Sequence, residues 1–357
     1  MVVSIDSELL KNIYTMKSIA IFNNKGGVGK TTLLCNLASY FKNKCNQRVL
    51  IIDADPQCNA TLYLFDDNEI EKFYENNSTY KTIYHIIQPY KKGKGFLSED
   101  SLPIEHSKGF DVDCIIGDTR FAVLEDFLSS EWLASKSGEE RALDTTFVFK
   151  NILHLLEEKY DYVFFDVGPS LGAINRCVLL ASQYFIIPMS SDIFSIKAIE
   201  NIAESLHEWK DEFNRCLDEY KRKEKTEYRL NNNIVTFDLQ FLGYVNQQYT
   251  FKKIRGEARP VKAYDNIIKK IPHKIISKLS RFTQMTTNKD LEIGEIPNLH
   301  SLVPLSQAAN KPIFLLEGKD GVVGAHFRKV AEFEKVISTI CEHVINNILA
   351  YENRLAN

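Results

Sequence analysis

A run of glycines, lysines and threonines near the start of the chain has the residue types and spacing of a phosphate-binding loop. It reads Lys25-Gly-Gly-Val-Gly-Lys-Thr-Thr32, after an apolar run at 19–22 and before a segment with helical spacing. Glycines let backbone N–H groups turn toward a phosphate, and the N-terminus of the following helix favours negative charge. In such a loop Lys30 reaches the β- and γ-phosphates, and the Thr31 hydroxyl binds Mg²⁺.

The loop departs from the usual phosphate-binding pattern at its beginning. Asn24 occupies the place of the first glycine, and a second lysine, Lys25, opens the run. The alternative interpretation is a glycine-rich turn with two exposed lysines, but the flanking strand and helix patterns agree with a nucleotide site. The predicted nucleotide-binding residues of the loop are Gly26, Gly27, Val28, Gly29, Lys30, Thr31 and Thr32.

Three aspartates that follow apolar runs are candidates for metal and water chemistry. Asp53 and Asp55 end one run, and Asp166 ends another, before a Gly168-Pro169 turn. Carboxylates at the carboxyl ends of parallel strands point into the ligand crevice of an open α/β sheet. A structural interpretation is also open for each, because an aspartate after a strand can cap a helix or begin a turn.

These three segments resemble the deviant Walker A, A′ and B boxes of the ParA/MinD ATPases, and the short N-terminal part resembles the short-form, Soj-like ParA proteins. The resemblance implies that Lys25 crosses to the nucleotide of a partner subunit and that Asp55 positions or activates the attacking water. It also implies that Asp53 and Asp166 support the metal. The predicted catalytic residues are Lys25, Lys30 and Asp55; the predicted metal-site residues are Thr31, Asp53 and Asp166. The implied ligands are ATP and Mg²⁺.

Two later positions are candidates for the adenine site. An alternating segment at 237–246 predicts a strand that ends in Asn246, whose side-chain amide suits either an adenine edge or a turn. Pro297 lies in a segment that resembles the part of the family after the last core strand, where the backbone flanks the base. We therefore expect Asn246 and Pro297 at the base of the nucleotide.

The segment 252–281 is basic in a chain whose formal net charge is −3. It has ten basic residues against Glu257 and Asp265, a local net charge of +8. Such a block can neutralise several phosphates without reading base sequence, whereas a solvated face is the alternative. The family resemblance implies non-specific DNA binding. The predicted DNA-binding residues are Lys252, Lys253, Arg255, Arg259, Lys262, Lys269, Lys270, Lys274, Lys278 and Arg281.

The order of strand and helix patterns predicts a doubly wound α/β fold, with a mostly parallel sheet and helices on both faces. The 357 residues divide into an N-terminal extension, 1–16, and a single domain, 17–357, with an insertion at about 66–110. The polar stretch 129–145 is predicted to be loop, and Pro272 is expected to break a helical run. A long apolar stripe after residue 326 predicts a closing helix.

The sequence also bears on compartment and partners. Seven cysteines without a Cys-x-x-Cys pair are typical of reduced thiols, and no apolar run is long enough to span a bilayer, so the expected location is the cytoplasm. The resemblance implies an ATP-dependent homodimer near the nucleoid and a ParB-like stimulating partner. The implied task is plasmid or chromosome partition or cargo positioning.

Three alternatives remain open at this point. A MinD-like or scaffold-binding positioning ATPase would not bind DNA. An ATPase like nitrogenase iron protein would bridge a cluster between subunits, with Cys114 and Cys177 as the candidate ligands. A bacterial tyrosine kinase would end in a tyrosine cluster, whereas only Tyr351 lies in the final helical pattern.

Overall fold

The computed structural model describes residues 16–75, 78–93, 98–190, 192–249, 251–254, 257–260, 269–283, 285, 288–299 and 301–355. The predicted N-terminal extension therefore lies outside the described residues except for Met16. Arg255 and Lys262 of the basic block also lie outside the described residues.

Eight strands form the central sheet. They are β1 (Lys17–Ile21), β2 (Val49–Asp53), β3 (Ile104–Ser107), β4 (Val112–Ile115), β5 (Tyr162–Asp166), β6 (Tyr184–Ser190), β9 (Gln240–Tyr249) and β12 (Glu292–Pro297). Two further pairs form separate hairpins. These are β7 (Arg229–Leu230) with β8 (Asn233–Ile234), and β10 (Phe251–Ile254) with β11 (Glu257–Pro260).

The strand order is β12-β9-β6-β1-β5-β2-β4-β3, and the strands pair in parallel except at the β3–β4 edge. Strands β1, β2 and β5 are buried along their whole length, which requires cover on both faces of the sheet. The predicted doubly wound α/β fold is confirmed.

Thirteen α-helices lie in the described part of the chain. They are α1 (Lys30–Asn43), α2 (Asn59–Leu64), α3 (Asp67–Tyr74), α4 (Ile83–Lys91), α5 (Glu125–Ser135), α6 (Glu140–Thr146), α7 (Val148–Leu156), α8 (Ala173–Ala181), α9 (Ile193–Glu224), α10 (Ile271–Lys278), α11 (Asn288–Leu291), α12 (Leu302–Ala309) and α13 (His326–Leu355). The closing helix predicted after residue 326 is present as α13, which packs on α1, β9 and β12.

One local prediction was wrong. The stretch 129–145 is mostly helical, because Leu128, Trp132 and Ser135 recur at one helical face and are buried in α5. Pro272 lies in the first turn of α10, which begins at Ile271, and proline is tolerated there because the first helical turn would leave an N–H at that position unpaired. Residues 261–268 lie outside the described residues, so the break of the helical run at Pro272 stays a prediction. The insertion contains α3 and α4 among its described residues.

The parallel strands bring the predicted site together at one edge of the sheet. The glycine loop follows β1, Asp55 follows β2, and Asp166 ends β5. In the paired strands Ile21 is opposite Asp166, and Asp166 is opposite Asp53, so these three connections are neighbours in space. Ligands of open α/β sheets bind at this carboxyl edge.

Candidate nucleotide-binding site

The glycine loop has an open backbone cradle. Gly27 and Gly29 have φ values of 72° and 71°, in the left-handed region that glycine adopts without strain. A Cβ added at Gly26 or Gly27 would meet nothing within 4 Å. The loop ends at Lys30, the first residue of α1, so the unpaired N–H groups of that helix face the cradle.

Two amides that the sequence analysis missed hold this loop in place. Buried Asn23 donates to the Pro188 carbonyl at 2.7 Å and accepts from the Lys25 N–H at 2.9 Å. Gln247 donates from Nε2 to the Gly29 carbonyl at 3.1 Å. The only sequence signal for either is its place at the end of a buried strand.

A cavity of ≈ 530 Å³ lies over the loop and is lined by residues 26–32 together with Asp55, Pro169 and Gln307. A second cavity of ≈ 420 Å³ shares Gly27, Gly29 and Thr32 with the first and is lined mainly by apolar groups. Both volumes fall in the range of small-molecule sites. We call the first the phosphate compartment and the second the base compartment, after the part of a nucleotide that each could hold.

The base compartment contains one of the two predicted base residues. Pro297 lines it, together with Gln247, Asn298 and Phe333. Asn246 does not line it, because it points to the other face of β9, where its amide donates to Glu292 at 2.6 Å. Alternate residues of a strand face opposite sides, so a register of one residue decides which amide meets the cavity.

Asp53 makes the contacts of a structural cap. Its Oδ2 accepts from the Thr61 N–H at 2.8 Å and from the Thr61 hydroxyl at 2.6 Å, within α2. Burial raises the pKa of Asp53 to about 7, although hydrogen bonds from Thr61 oppose the shift. These contacts fit the structural interpretation, and a metal role for Asp53 stays a prediction.

Asp55 and Asp166 have unused acceptor capacity. Asp55 accepts from the Gln57 N–H at 2.9 Å and lines the phosphate cavity. Asp166 accepts from the Thr31 hydroxyl at 2.8 Å through Oδ2, while its buried Oδ1 has no hydrogen-bond partner among the described residues. Burial, followed by the charge of Asp53, raises the pKa of Asp166 well above its usual range.

These features fit a magnesium ion. An unpaired buried carboxylate oxygen next to a threonine hydroxyl suits a hydrated Mg²⁺, which keeps several waters and takes few direct protein ligands. The described residues contain no group of three or more His, Cys, Asp or Glu side chains arranged to hold a metal on their own. Thr31 and Asp166 are therefore the residues that could hold the ion together with a nucleotide.

The two lysines of the loop have different surroundings. Lys30 is buried, with Nζ 3.4 Å from the Lys25 carbonyl. Burial lowers the pKa of Lys30, and the charges of Asp166 and then Asp55 oppose that shift. Lys25 forms an ion pair with Asp192 and donates to the Ser190 hydroxyl at 2.8 Å. Within one subunit, Lys25 is thus held at the end of β6.

The basic block is divided between two elements. In the β10–β11 hairpin the backbone register places Lys252 opposite Arg259. In and after α10, Lys274 pairs with Glu200 and Arg281 pairs with Asp211. Acidic residues of α9 therefore neutralise the charges of Lys274 and Arg281. Another part of the basic block lies on the hairpin that follows β9 in the chain.

The residues proposed for two alternative classes are core residues. Cys114 and Cys177 are buried in β4 and α8, where burial raises the pKa of both thiols. Tyr351 is buried in α13, and its hydroxyl donates to the Phe241 carbonyl at 2.9 Å. Neither a shared cluster nor a surface phosphorylation site suits these positions. No helix within the described ranges is long and apolar enough to cross a membrane.

A parallel sheet with a glycine loop, an adjacent lysine and threonine, and strand-end aspartates defines the class of P-loop nucleotide-binding proteins. Residues 16–219 match the model of a family described as an AAA domain. The chain belongs to this family and is a P-loop ATPase of the ParA class.

Curated relatives agree with this placement. The chain is 27% identical over 262 residues to an uncharacterized protein, MJECL24, of Methanocaldococcus jannaschii, covering 70% of this chain and 92% of that protein. It is 30% identical over 188 residues to a ParA family protein of Chlamydia trachomatis, covering 53% of this chain and 64% of that protein. The match thus spans less than two thirds of the Chlamydia protein.

Solved structures share the fold. Protein DIP2308 from Corynebacterium diphtheriae has 29% identity and a TM-score of 0.69, with 83% of this chain and 97% of that chain covered. The Cyanothece McdA(D38A)-ATP complex has 15% identity and a TM-score of 0.62, with 93% and 96% covered. The second likeness concerns the fold alone.

Proposed function

We propose that this protein is a Mg²⁺-dependent ATPase that dimerises on ATP, binds DNA without sequence preference, and positions a plasmid, a chromosome region or another cargo. The observation that carries the proposal is the convergence of Lys30, Thr31, Asp55 and Asp166 on one cavity-lined edge of the sheet. A ParA family name among the relatives supports the partition role.

Each of these residues has its own role in the proposed hydrolysis. The loop N–H groups and Lys30 bind the phosphates, and Asp55 orients the attacking water and accepts its proton. Thr31 and Asp166 would hold Mg²⁺, which would supply positive charge against the phosphates. Pro297 and the apolar wall of the second cavity hold the base.

An exposed apolar rim supports dimerisation. Leu62, Val123 and Phe194 are 53%, 65% and 69% exposed, and each follows a strand at the carboxyl edge of the sheet. Large exposed apolar side chains around a binding site are typical of protein interfaces. A second copy that covers this rim would face the ATP cavity, and Lys25 would leave Asp192 to reach the partner's phosphates.

The β10–β11 hairpin supports DNA binding. The backbone register places Lys252 opposite Arg259, so this short element carries basic residues of the +8 block on both of its strands. Basic residues grouped in this way can neutralise phosphates without base-specific contacts. The hairpin follows β9 in the chain.

The test measures ATP turnover, and binding to a random DNA duplex with ATP, ADP or no nucleotide, at about 50 and 200 mM salt. We expect Mg²⁺-dependent hydrolysis, and DNA binding that requires ATP and weakens at least about tenfold at the higher salt. Absence of hydrolysis would reject the ATPase proposal. Hydrolysis without DNA binding in any nucleotide state would reject the DNA role and favour a scaffold-binding positioning ATPase.

A further inference from the structure

A carboxylate from one helix caps the start of another helix beside the phosphate cavity. Glu125, the first residue of α5, accepts hydrogen bonds from the Ala173 N–H and, at 3.1 Å, from the Ile174 N–H. These N–H groups begin α8 and have no partner inside that helix. The N-cap residue Gly172 has no side chain to offer, so the cap comes from a different element.

The approach of this carboxylate constrains residue 172. A Cβ added at Gly172 would collide with Glu125 Oε1. A larger residue there would push the carboxylate off the helix start. Glycine at position 172 is therefore needed for Glu125 to cap α8.

The start of α8 in turn holds the turn that follows Asp166. Asn175, which is 1% exposed, donates from Nδ2 to the Gly168 carbonyl at 2.7 Å and to the Ser170 carbonyl at 2.6 Å. A Cβ added at Gly168 would lie 3.1 Å from Asp55 Oδ1. Any shift of α8 thus moves a turn that is in close contact with the water-positioning carboxylate.

A second contact between α5 and α8 does not fix this position. The Arg176 guanidinium lies over the Trp132 ring at 4.7 Å, but its buried Nε and Nη2 have no hydrogen-bond partner among the described residues. Stacking tolerates sliding, whereas hydrogen bonds are directional. The directional connection between the two helices comes from Glu125.

We propose that Glu125 is a positioning residue for ATP hydrolysis. It fixes the start of α8, Asn175 transmits that position to the 168–170 turn, and the turn sets the place of Asp55 and of Pro169 at the phosphate cavity. This inference rests on the proposed ATPase function. It makes α5, which otherwise lies outside the nucleotide site, a determinant of turnover.

The experiment compares Glu125→Ala and Glu125→Gln with Asp126→Ala, which removes an exposed acid from the same first turn of α5. We expect Glu125→Ala to lower kcat about 10- to 100-fold while the KM for ATP changes less than about threefold. Glu125→Gln keeps one acceptor oxygen and should recover part of the rate. Asp126→Ala should behave like the wild type.

A spectroscopic signal separates this inference from the function it rests on. The chain has two tryptophans, so a Trp209→Phe background leaves Trp132 as the reporter of the α5–α8 contact. We expect a non-hydrolysable ATP analogue to change Trp132 emission, and Glu125→Ala to abolish that change. Thermal melts of each variant identify any that fail to fold, and Glu125→Gln then carries the test.

The outcomes are distinct. A kcat for folded Glu125→Ala within about twofold of the wild-type value, together with an intact Trp132 response, would overturn the inference. A loss of ATP affinity in proportion to the loss of kcat would also overturn it, because a merely structural role predicts that result. A wild-type protein that binds ATP without hydrolysing it would reject the ATPase function, while the Trp132 response would still report on Glu125.

Discussion

At the scale of single residues, three aspartates in similar sequence contexts occupy three different environments. Asp53 accepts hydrogen bonds from Thr61 in α2, and Asp55 lines the phosphate cavity. Asp166 has an unpaired oxygen among the described residues, beside Thr31. A carboxylate that positions water needs access to the cavity, and one that supports a hydrated ion needs a free acceptor. Asp55 and Asp166 meet these conditions, and the metal role of Asp53 stays a prediction.

Asp55→Ala is expected to separate binding from turnover. ATP affinity should change less than about threefold, because the loop and Lys30 hold the phosphates, whereas turnover should fall at least about 100-fold. Steady-state hydrolysis and equilibrium binding measure the two effects. The control is Asp67→Ala, which removes an exposed acid at the start of α3. Equal turnover in Asp55→Ala and the wild type would exclude Asp55 from catalysis.

The raised pKa of Asp53 predicts a pH dependence of stability in the nucleotide-free and magnesium-free protein. Burial raises the pKa of the folded Asp53 carboxyl to about 7, whereas the ordinary pKa of an aspartate is 3.8. The free energy of unfolding should therefore fall as pH rises between these values, by about 2 to 4 kcal/mol from this group. Urea unfolding at several pH values measures it.

Asp53→Asn supplies the comparison, because an amide has no proton to lose. Its stability profile should be flatter than that of the wild type over the same pH range. The matched control is Asp126→Asn at an exposed position. Parallel profiles for Asp53→Asn and the wild type would show that Asp53 does not hold its proton in the folded state.

At the scale of elements, the strand ends decide which side chains meet the nucleotide. In β9 the cavity-facing amide is Gln247, which also holds Gly29 in its left-handed conformation. The two hairpins and α10 lie outside the parallel core, and one of those hairpins carries the cross-strand pair Lys252 and Arg259. The nucleotide cavity and the proposed DNA contact therefore lie on different elements.

Charge reversal in the hairpin tests that assignment. The double variant Lys252→Glu with Arg259→Glu should weaken ATP-dependent DNA binding by at least about tenfold and reduce its salt dependence, since two phosphate contacts are lost. ATP turnover without DNA should stay unchanged. The control reverses Lys221 and Lys223 near the end of α9. An equal loss of DNA binding in both double variants would indicate a diffuse charge effect and reject the hairpin as the contact.

At the scale of the whole molecule, one edge of the sheet combines the cavity, the apolar rim and the held Lys25. Phe194 is 69% exposed at the start of α9, two residues after the Asp192 that pairs with Lys25. A dimer that buries this edge would remove the ring from water and offer Lys25 a phosphate in place of Asp192. Both changes would favour the proposed dimer when ATP is present.

Phe194→Ser is therefore expected to weaken ATP-dependent dimerisation by at least about tenfold, because an aromatic anchor is lost from the interface. Analytical ultracentrifugation with a non-hydrolysable ATP analogue measures the monomer–dimer equilibrium. Ile234→Ser is the control, since Ile234 is 49% exposed beside Ser18 and Gln183, at the amino ends of β1 and β6. If Ile234→Ser weakens the dimer and Phe194→Ser does not, the interface lies at the opposite edge.

The sequence by itself determined the fold class and the residue types that could bind a nucleotide. Residues 25–32 carry a loop whose function follows from residue type and spacing, and buried strands are continuous apolar runs that can be recognised locally. The fold class and the nucleotide loop could be predicted for this reason.

Only the tertiary structure decided which neighbours complete the site. Strand register decides that Gln247 and not Asn246 lines the cavity. The position of α2 decides that Thr61 donates to Asp53. The hydrogen bonds that connect Glu125 with α8 and Asn175 with the 168–170 turn involve residues 50 positions apart in the chain. The helical structure within 129–145 was missed because few buried residues lie among its many polar residues. Local patterns fix what a residue can do, whereas packing between distant segments fixes whether it meets the site.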